Sequence, residues 1–214
     1  MGICNQRTVV ITGAGGGLGR AYALAFAQEG ANVVINDIRA EAAQAVADEV
    51  KAAGGQAIAN TGDITTVAGV QSILDATLTA FGDVNVIVNN AGVLRDRMFL
   101  SLSEEDWDMV MRVHLRGHFC MAKVFGGYWR DQKKAGKDVD ARIINTSSGA
   151  GLQGSIGQSN YAAAKAGIAG LTLVQAAELA RYGITVNCLA PAARTSMTEG
   201  AMPDMVKKPE SGFD

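Results

Sequence analysis

Short runs of β-branched residues alternate with longer alanine-rich segments along almost the whole chain. The short runs are apolar nearly throughout, as in strands of a parallel sheet that is covered on both faces. The longer segments carry apolar residues at helical spacing. The alternation therefore predicts an α/β fold with a doubly wound parallel sheet and helices on both faces.

The boundaries of the predicted elements follow from these two periodicities and from their flanking residues. Strands are predicted at Val9 to Thr12, Asn32 to Asn36, Gln56 to Asn60, Val84 to Asn89, Arg142 to Asn145 and Thr185 to Leu189. Helices are predicted at Leu18 to Glu29, Ala40 to Ala53, Val67 to Phe81, Glu104 to about Gln132, and Asn160 to Arg181. Ser103 caps the fourth of these helices, and the charged stretch Lys133 to Asp140 is predicted to be a solvated loop.

Length and composition limit the class of protein. A chain of 214 residues fits one domain, because single hydrophobic cores extend to ~250 residues, so residues 1–214 are expected to form a single domain. With 48% hydrophobic and 19% charged residues, the chain is not of the disordered class. Its net charge of −2 indicates neither a nucleic acid nor an anionic membrane surface as a partner.

The cysteines indicate neither a disulfide framework nor a metal site. Cys4, Cys120 and Cys188 are odd in number, far apart and without a C-x-x-C pair.

No basic, apolar secretory signal precedes the first strand, and no apolar run is long enough to span a membrane. We therefore expect a protein of a reducing compartment, the cytoplasm, with no bound metal.

A glycine-rich turn joins the first predicted strand to the first helix. Gly13, Gly17, Leu18 and Gly19 belong to it, in the pattern T-G-x-x-x-G-x-G. Glycines there allow close approach of a pyrophosphate, and the helix N-terminus offers free N–H groups to phosphate oxygens. The turn predicts a dinucleotide site in a Rossmann-type sheet; a purely structural tight turn is the alternative.

An acidic residue closes the second strand. Asp37 stands about 20 residues after the glycine turn, the offset at which a carboxylate meets the adenosine ribose. Such a carboxylate accepts both ribose hydroxyls and repels a 2′-phosphate. NAD is therefore the predicted cofactor, although Arg39 could favour NADP.

Tyr161 and Lys165 lie four residues apart at the start of the last helix, so they share one helix face. Taken alone, such a pair is usually surface packing. The run Asn145 to Ser148, however, ends the fifth strand, and strand ends on one side of a parallel sheet are where ligands bind. A serine of this run together with Tyr161 and Lys165 predicts a catalytic site.

These motifs in this order resemble the short-chain dehydrogenase/reductase family. The resemblance rests on the glycine turn, Asp63 after the third strand, Asn89 to Gly92 after the fourth, and Ser148, Tyr161 and Lys165. It implies that the tyrosine is the general acid and base, and that the serine holds the substrate oxygen. The lysine would bind the nicotinamide ribose and lower the pKa of the tyrosine.

The resemblance also implies weaker assignments in the cofactor site. Asp63 and Ile64 would flank the adenine, Asn90 and Ala91 would line the cofactor channel, and Thr195 would reach the carboxamide. The alternatives are helix capping for Asp63, a structural turn at residues 90–92, and a loop cap for Thr195.

The sequence departs from the family pattern at three places, one of which is Pro191-Ala192, where the family usually has Pro-Gly after the sixth strand. His114 stands where the family usually has an asparagine that serves a water relay to the lysine, and it either replaces that asparagine or is a satisfied core histidine. The family usually continues through a lid helix to a seventh strand after Thr195. We therefore expect a truncated chain, and an internal gap after Asp37 is an alternative.

Further motifs are similar to one branch of the family, which includes the dehydrogenase domain of peroxisomal multifunctional enzymes and its stand-alone bacterial relatives. These motifs are Asn89 to Arg97, Glu105 to Asp108 and His114 to Gly117. The likeness implies an oxidoreductase for 3-hydroxyacyl-CoA thioesters or hydroxysteroids. A homodimer or homotetramer is also expected, because the regions Leu102 to Trp129 and Asn160 to Arg181 carry more apolar and small residues than one sheet face can cover, and such helices pair across a twofold axis in the family. A 3-oxoacyl-carrier-protein reductase and a non-catalytic nucleotide sensor are the alternatives.

Overall fold

A computed structural model describes residues 2–193, and its elements follow the predicted alternation. The strands are Thr8–Thr12 (β1), Asn32–Asn36 (β2), Gln56–Asn60 (β3), Val86–Asn89 (β4), Ala141–Thr146 (β5) and Ile184–Leu189 (β6). The helices are Gly17–Gln28 (α1), Ala40–Ala52 (α2), Val67–Phe81 (α3), Glu104–Met111 (α4), Gly117–Lys134 (α5), Gly149–Gln153 (α6) and Ser159–Leu179 (α7).

The strands form one parallel sheet in the order β3-β2-β1-β4-β5-β6. This confirms the predicted doubly wound α/β fold. The chain reverses its direction of winding between β1 and β4, which are hydrogen-bonded neighbours. Ligands of open α/β sheets bind at such a switch point, beyond the carboxyl ends of the strands.

Each face of the sheet carries its own hydrophobic core. On one face, Ala43 and Val46 of α2 pack with Ile11 and Ile35 of the sheet. On the other face, α3 and α5 cover the sheet, and Phe125 belongs to a core that also includes β4 and β5 side chains. Burial on both faces explains why the strand sequences are apolar throughout rather than alternating.

The fourth predicted helix contains an irregularity that its sequence did not reveal. α4 and α5 are joined by a π-helical turn at Arg112–Arg116, with no break in the helical path. Such turns are rare and often occur at functional sites. Here the turn contains His114, whose side chain is buried.

Local details of the helices agree with the predicted boundaries, with two exceptions. The Ser103 hydroxyl accepts a hydrogen bond from the Asp106 amide, which confirms the predicted cap of α4. The short helix α6 was not predicted, and α5 continues through Lys134 into the segment expected to be a loop. Within residues 2–193, no helix combines the length and the apolar character needed to cross a membrane.

Candidate active site

The glycine turn after β1 is packed too closely for larger residues. Gly13 has a φ of +62°, and a Cβ atom there would lie 2.7 Å from the Cα of Ala91. A Cβ on Gly19 would lie 2.3 Å from the carbonyl oxygen of Gly13. Gly17 also has a positive φ of 52°. Two of these glycines thus bring α1 and the turn after β4 against the end of β1, as the sequence motif requires.

The N-terminus of α1 fits a dinucleotide phosphate. In the part of the chain that the structure describes, no side chain caps this end and its first turn contains no acidic residue. A Cβ built on Gly16 would meet only the Arg39 guanidinium, at 3.9 Å, so space remains beside the turn. The amides at the start of the helix, including that of Leu18, are therefore suitable donors to phosphate oxygens.

Asp37 lies at the end of β2, beside this turn. Its carboxylate accepts hydrogen bonds from the amides of Gly15 (3.0 Å) and Arg39 (3.0 Å) and from the Arg39 guanidinium (3.1 and 3.2 Å). Burial alone would raise the pKa of Asp37, but the hydrogen bonds from Arg39 and Gly15 and the charge of Arg39 lower it below its usual value. The group is an anionic acceptor at the carboxyl end of β2, and its contact with an adenosine ribose stays a prediction.

The turn after β4 is fixed to the end of β1 by Thr12, to which the sequence had assigned no role. Its hydroxyl accepts hydrogen bonds from the amides of Asn90 (3.0 Å) and Ala91 (3.1 Å). The Asn90 side chain donates in return to the carbonyls of Thr12 (3.1 Å) and Gly13 (3.3 Å). Asn90 and Ala91 are therefore packed directly against the end of β1 and the glycine turn, and their place in a cofactor channel stays a prediction.

Asp63 and Ile64 follow β3 at the same edge of the sheet. The Asp63 carboxylate accepts hydrogen bonds from the amide (2.8 Å) and the hydroxyl (3.0 Å) of Thr65, whereas Thr66 caps α3. Ile64 is buried against the start of α5, where a Cβ on Gly117 would lie 2.9 Å from its Cδ1. Their contact with an adenine stays a prediction. Thr195 lies outside the described residues.

The structure brings the three predicted catalytic residues together. Ser148 follows β5, and its hydroxyl is near enough to the Tyr161 phenol to lower the pKa of that group. The Lys165 ammonium lies 5.5 Å from the centre of the Tyr161 ring, one turn further along α7. The neighbouring Ser147 instead donates to the carbonyl of Lys165 at 2.8 Å, so it anchors α7 to the sheet.

Burial alters the acidity of both titratable groups. Loss of solvation lowers the pKa of Lys165 to about 8, while the neighbouring Cys188 thiol acts to raise it. Burial also raises the pKa of Tyr161; the Ser148 hydrogen bond lowers it, and the Asp96 carboxylate raises it. Because both groups are protonated near neutral pH in this state, a further positive charge would be needed to favour the phenolate.

His114 borders the same site, from the π-helical turn. Its Nε2 lies 3.0 Å from the amide nitrogen and 2.8 Å from the carbonyl oxygen of Val93, and the ring meets that of Tyr161 edge-on at 5.2 Å. Burial first, and then the charge of Lys165, lower the pKa of His114 to about 3, against a raising effect of the Val93 bond. The ring is thus neutral and attached to Val93. A relay from the ring to Lys165 stays a prediction.

Two further buried polar residues support the site, and the sequence analysis had assigned them no role. Asn160 donates to the carbonyls of Arg95 (3.0 Å) and Asp106 (3.3 Å) and accepts from the Tyr161 amide (2.7 Å). His118 bonds the backbone of residues 114 and 146. The spacing of His114 and His118, one helical turn apart, was the available signal for the second of these residues.

Comparison with known proteins identifies the family. The family model described as short chain dehydrogenase matches residues 7–206. The chain belongs to the short-chain dehydrogenase family. It is 55% identical to a short chain dehydrogenase from Mycobacterium avium, whose crystal structure it matches with a TM-score of 0.89 over 92% of this chain and 71% of that one.

Among curated short-chain dehydrogenase relatives, hydroxyacyl-CoA dehydrogenase ChsB1 of Mycobacterium tuberculosis is 48% identical over 93% of this chain and 66% of its own length. Peroxisomal multifunctional enzyme type 2 of mouse is 45% identical over 95% of this chain and 28% of its length. The chain thus spans less than two thirds of these relatives. The likeness to the multifunctional-enzyme branch, predicted from the motifs, is confirmed.

Proposed function

We propose that this chain is the catalytic part of an NAD(H)-dependent oxidoreductase that interconverts a secondary alcohol and its ketone. The observation that carries the proposal is the convergence of Ser148, Tyr161 and Lys165 beyond the end of β5, at the same edge of the parallel sheet as the glycine turn after β1. A bound nicotinamide dinucleotide would supply the hydride acceptor or donor.

Tyr161 is the group that would move the proton. In alcohol oxidation its phenolate oxygen takes the proton of the substrate hydroxyl, and in ketone reduction the phenol returns it to the substrate oxygen. The Ser148 hydroxyl, which lies near the Tyr161 phenol, is placed to hold that same substrate oxygen. The two hydroxyl groups thereby fix the oxygen of the reacting carbon.

Lys165 would serve both the tyrosine and the cofactor ribose. Its buried ammonium, beside the Tyr161 ring, favours the charged form of the phenol through Coulomb attraction. The same ammonium group has two further protons with which to bind ribose hydroxyls, since one is directed to the Thr146 carbonyl at 2.6 Å.

The preference for NAD over NADP is supported by Asp37. Its carboxylate is anionic, nearly buried and placed beside Gly15, so it would accept ribose hydroxyls and repel a 2′-phosphate. The Arg39 guanidinium is not free to bind a 2′-phosphate, because it already forms an ion pair with the same carboxylate. We infer that Arg39 restrains Asp37 rather than recruiting NADP.

A 3-hydroxyacyl-CoA thioester or a hydroxysteroid is the proposed substrate class. Support comes from the curated relatives named hydroxyacyl-CoA dehydrogenase and peroxisomal multifunctional enzyme. A 3-oxoacyl-carrier-protein reductase uses the same chemistry on a different carrier, and it remains the closest competing assignment.

The test is turnover of the purified protein with NAD and a matched panel of substrates. The panel contains 3-hydroxyacyl-CoA thioesters of several lengths, both enantiomers at the hydroxyl carbon, a hydroxysteroid, and 3-oxoacyl groups on carrier protein with NADPH. Reduction of NAD with a CoA thioester or the steroid supports the proposal. Preference for the carrier-protein substrate would replace it with the reductase, and NAD binding without turnover across the panel would indicate a nucleotide sensor.

A further inference from the structure

We propose that His118 is a positioning residue for Lys165: its imidazole ring holds the backbone N–H of Thr146, the residue whose carbonyl oxygen, in the following peptide group, receives the lysine ammonium. His118 does not touch the reacting groups itself. The inference rests on the proposed function, because Lys165 matters to catalysis only if Tyr161 does.

The two ring nitrogens of His118 have opposite roles. Nδ1 lies 2.7 Å from the carbonyl oxygen of His114, so it must carry the proton and donate. Nε2 lies 3.3 Å from the amide nitrogen of Thr146, so it must be bare and accept. Both contacts are satisfied by a single neutral tautomer, with the proton on Nδ1.

The ring is kept in that neutral form by its surroundings. His118 is 1% exposed. Burial first, and then the charge of Lys165, lower its pKa to about 3, and His114 acts in the same direction. The hydrogen bonds to the backbone of His114 and of Asn89 oppose this effect. A bare Nε2 is therefore available to Thr146 at every pH at which the enzyme would work.

Sheet geometry explains why Thr146 needs this partner. The register of β4 with β5 ends at the pair Asn89 and Asn145, while β5 continues for one residue more. On the other side Thr146 pairs with Leu189 of β6. Its amide thus extends past the end of β4, where His118 takes the place of the missing strand.

The carbonyl of the same residue points to the catalytic lysine. Lys165 Nζ donates to the Thr146 oxygen at 2.6 Å and is 5.5 Å from the centre of the Tyr161 ring. The path therefore runs from the π-helical turn through His118 and Thr146 to Lys165, with one hydrogen bond at each step. A change in the backbone torsions of Thr146 would move its carbonyl oxygen away from the ammonium.

A purely structural role is the alternative: a buried imidazole could join α5 to β5 and do nothing more. The two roles differ in what they change. A structural role affects stability alone, whereas a positioning role alters the ionisation of Lys165 and, through it, that of Tyr161.

The first experiment needs no turnover. The chain has two histidines, so nitrogen NMR of protein with labelled histidine gives two ring signals, and one substitution assigns them. We expect the His118 ring to be neutral with its proton on Nδ1 at neutral pH. A ring protonated on Nε2, or on both nitrogens, would overturn the proposal.

The second experiment measures the pKa of Lys165 by carbon NMR of labelled lysine in His118→Phe and His118→Gln. Phenylalanine fills the space without either bond, whereas glutamine keeps an oxygen able to accept from the Thr146 amide. We expect His118→Phe to lower the pKa of Lys165 by roughly half a unit or more, because the ammonium loses its acceptor while remaining buried. His118→Gln should restore most of the wild-type value.

Trp129→Phe is the matched control. Trp129 is on the same helix, is equally buried, and its indole N–H donates to the Val84 carbonyl at 2.8 Å, far along the chain from Lys165. This variant should lose stability and leave the pKa of Lys165 unchanged. Two results would show that His118 is merely structural: a change in the pKa of Lys165 in Trp129→Phe as large as that in His118→Phe, or no change in His118→Phe. If His118→Phe does not fold, His118→Ala replaces it. The pKa of Lys165 should then be lower than in the wild type, and added imidazole should raise it again.

Kinetics complete the test. In His118→Phe, the acid limb of the pH profile of kcat/KM for alcohol oxidation should move about one pH unit higher. At neutral pH, kcat/KM should therefore fall about tenfold, and it should return towards the wild-type value at alkaline pH. A uniform loss at every pH would contradict the proposal. An inactive wild-type protein would refute the proposed function, and the two NMR measurements would still decide the role of His118.

Discussion

The Lys165 ammonium group lies 5.5 Å from the centre of the Tyr161 ring, while its Nζ donates to the carbonyl of Thr146 at 2.6 Å. The ammonium is thus held by the sheet rather than by the phenol oxygen. Its effect on the tyrosine is through space, and its remaining protons are available for another acceptor. This arrangement defines what each of the following substitutions should change.

Replacing Tyr161 with phenylalanine should remove the proton-transfer group and keep the ring contacts with His114 and Lys165. We expect turnover to fall by roughly 10²- to 10⁴-fold, with NAD binding and melting temperature nearly unchanged. Steady-state kinetics and titration of NAD fluorescence measure the two effects. Turnover within a few-fold of wild type would rule out Tyr161 as the acid and base.

Lys165→Met should abolish most turnover and yet stabilise the protein near neutral pH. The folded-state pKa of about 8 lies below the ordinary 10.5, so the unfolded chain binds more protons between these values. Wild-type stability therefore rises with pH across that window, and the advantage of the variant should shrink there. Denaturant unfolding of both proteins at several pH values measures this difference in the free energy of unfolding. A variant less stable than wild type at neutral pH would show that the lost bond to Thr146 outweighs desolvation.

Asp37→Ala should raise the ratio of kcat/KM for NADP to that for NAD by roughly tenfold or more, because each 1.4 kcal/mol of repulsion removed is worth a factor of ten. The change would also release the Arg39 guanidinium to meet a 2′-phosphate. In the double variant Asp37→Ala with Arg39→Ala, the repulsion of the 2′-phosphate by Asp37 is removed but Arg39 cannot attract it. The difference from Asp37→Ala alone therefore measures the attraction by Arg39. A wild-type enzyme that already prefers NADP would contradict the assignment.

His114→Asn and His114→Leu test the histidine that stands in place of the family asparagine. If the residue serves a relay, asparagine should preserve turnover, and leucine should lower it with little loss of stability. A core histidine predicts instead that the loss of its bond to Val93 costs about 1 to 3 kcal/mol and that turnover follows stability. Melting temperature and turnover of both variants distinguish the two roles.

The protein should be a homodimer or homotetramer at micromolar concentration. Leu173 and Val174 on α7 and Phe119 on α5 expose 75%, 53% and 47% of their surface, which is unusual for large apolar side chains on long helices. Light scattering should give two or four times the 22.2 kDa of one chain. Leu173→Glu should lower that mass, and a species of one chain alone in the wild type would refute the prediction.

The fold could be read from the sequence because its signals are local and periodic. β-branched runs such as Val9 to Thr12 and the glycine turn specify strands and a tight connection through short-range sterics. The order of Ser148, Tyr161 and Lys165 then places them at one edge of the sheet, since all strands of a parallel sheet end on the same side. The π-helical turn left no comparable periodic signal.

What the sequence determined by itself was therefore the alternation of elements, the glycine turn and the identity of the reacting groups. Only the tertiary structure decided which buried polar atoms meet: Thr12 with the amides after β4, Arg39 with Asp37, and His118 with Thr146. A buried donor or acceptor must find a partner to offset its loss of water, but that partner can come from any element packed nearby. The choice depends on how helices and strands distant in sequence pack together, and no local pattern encodes it.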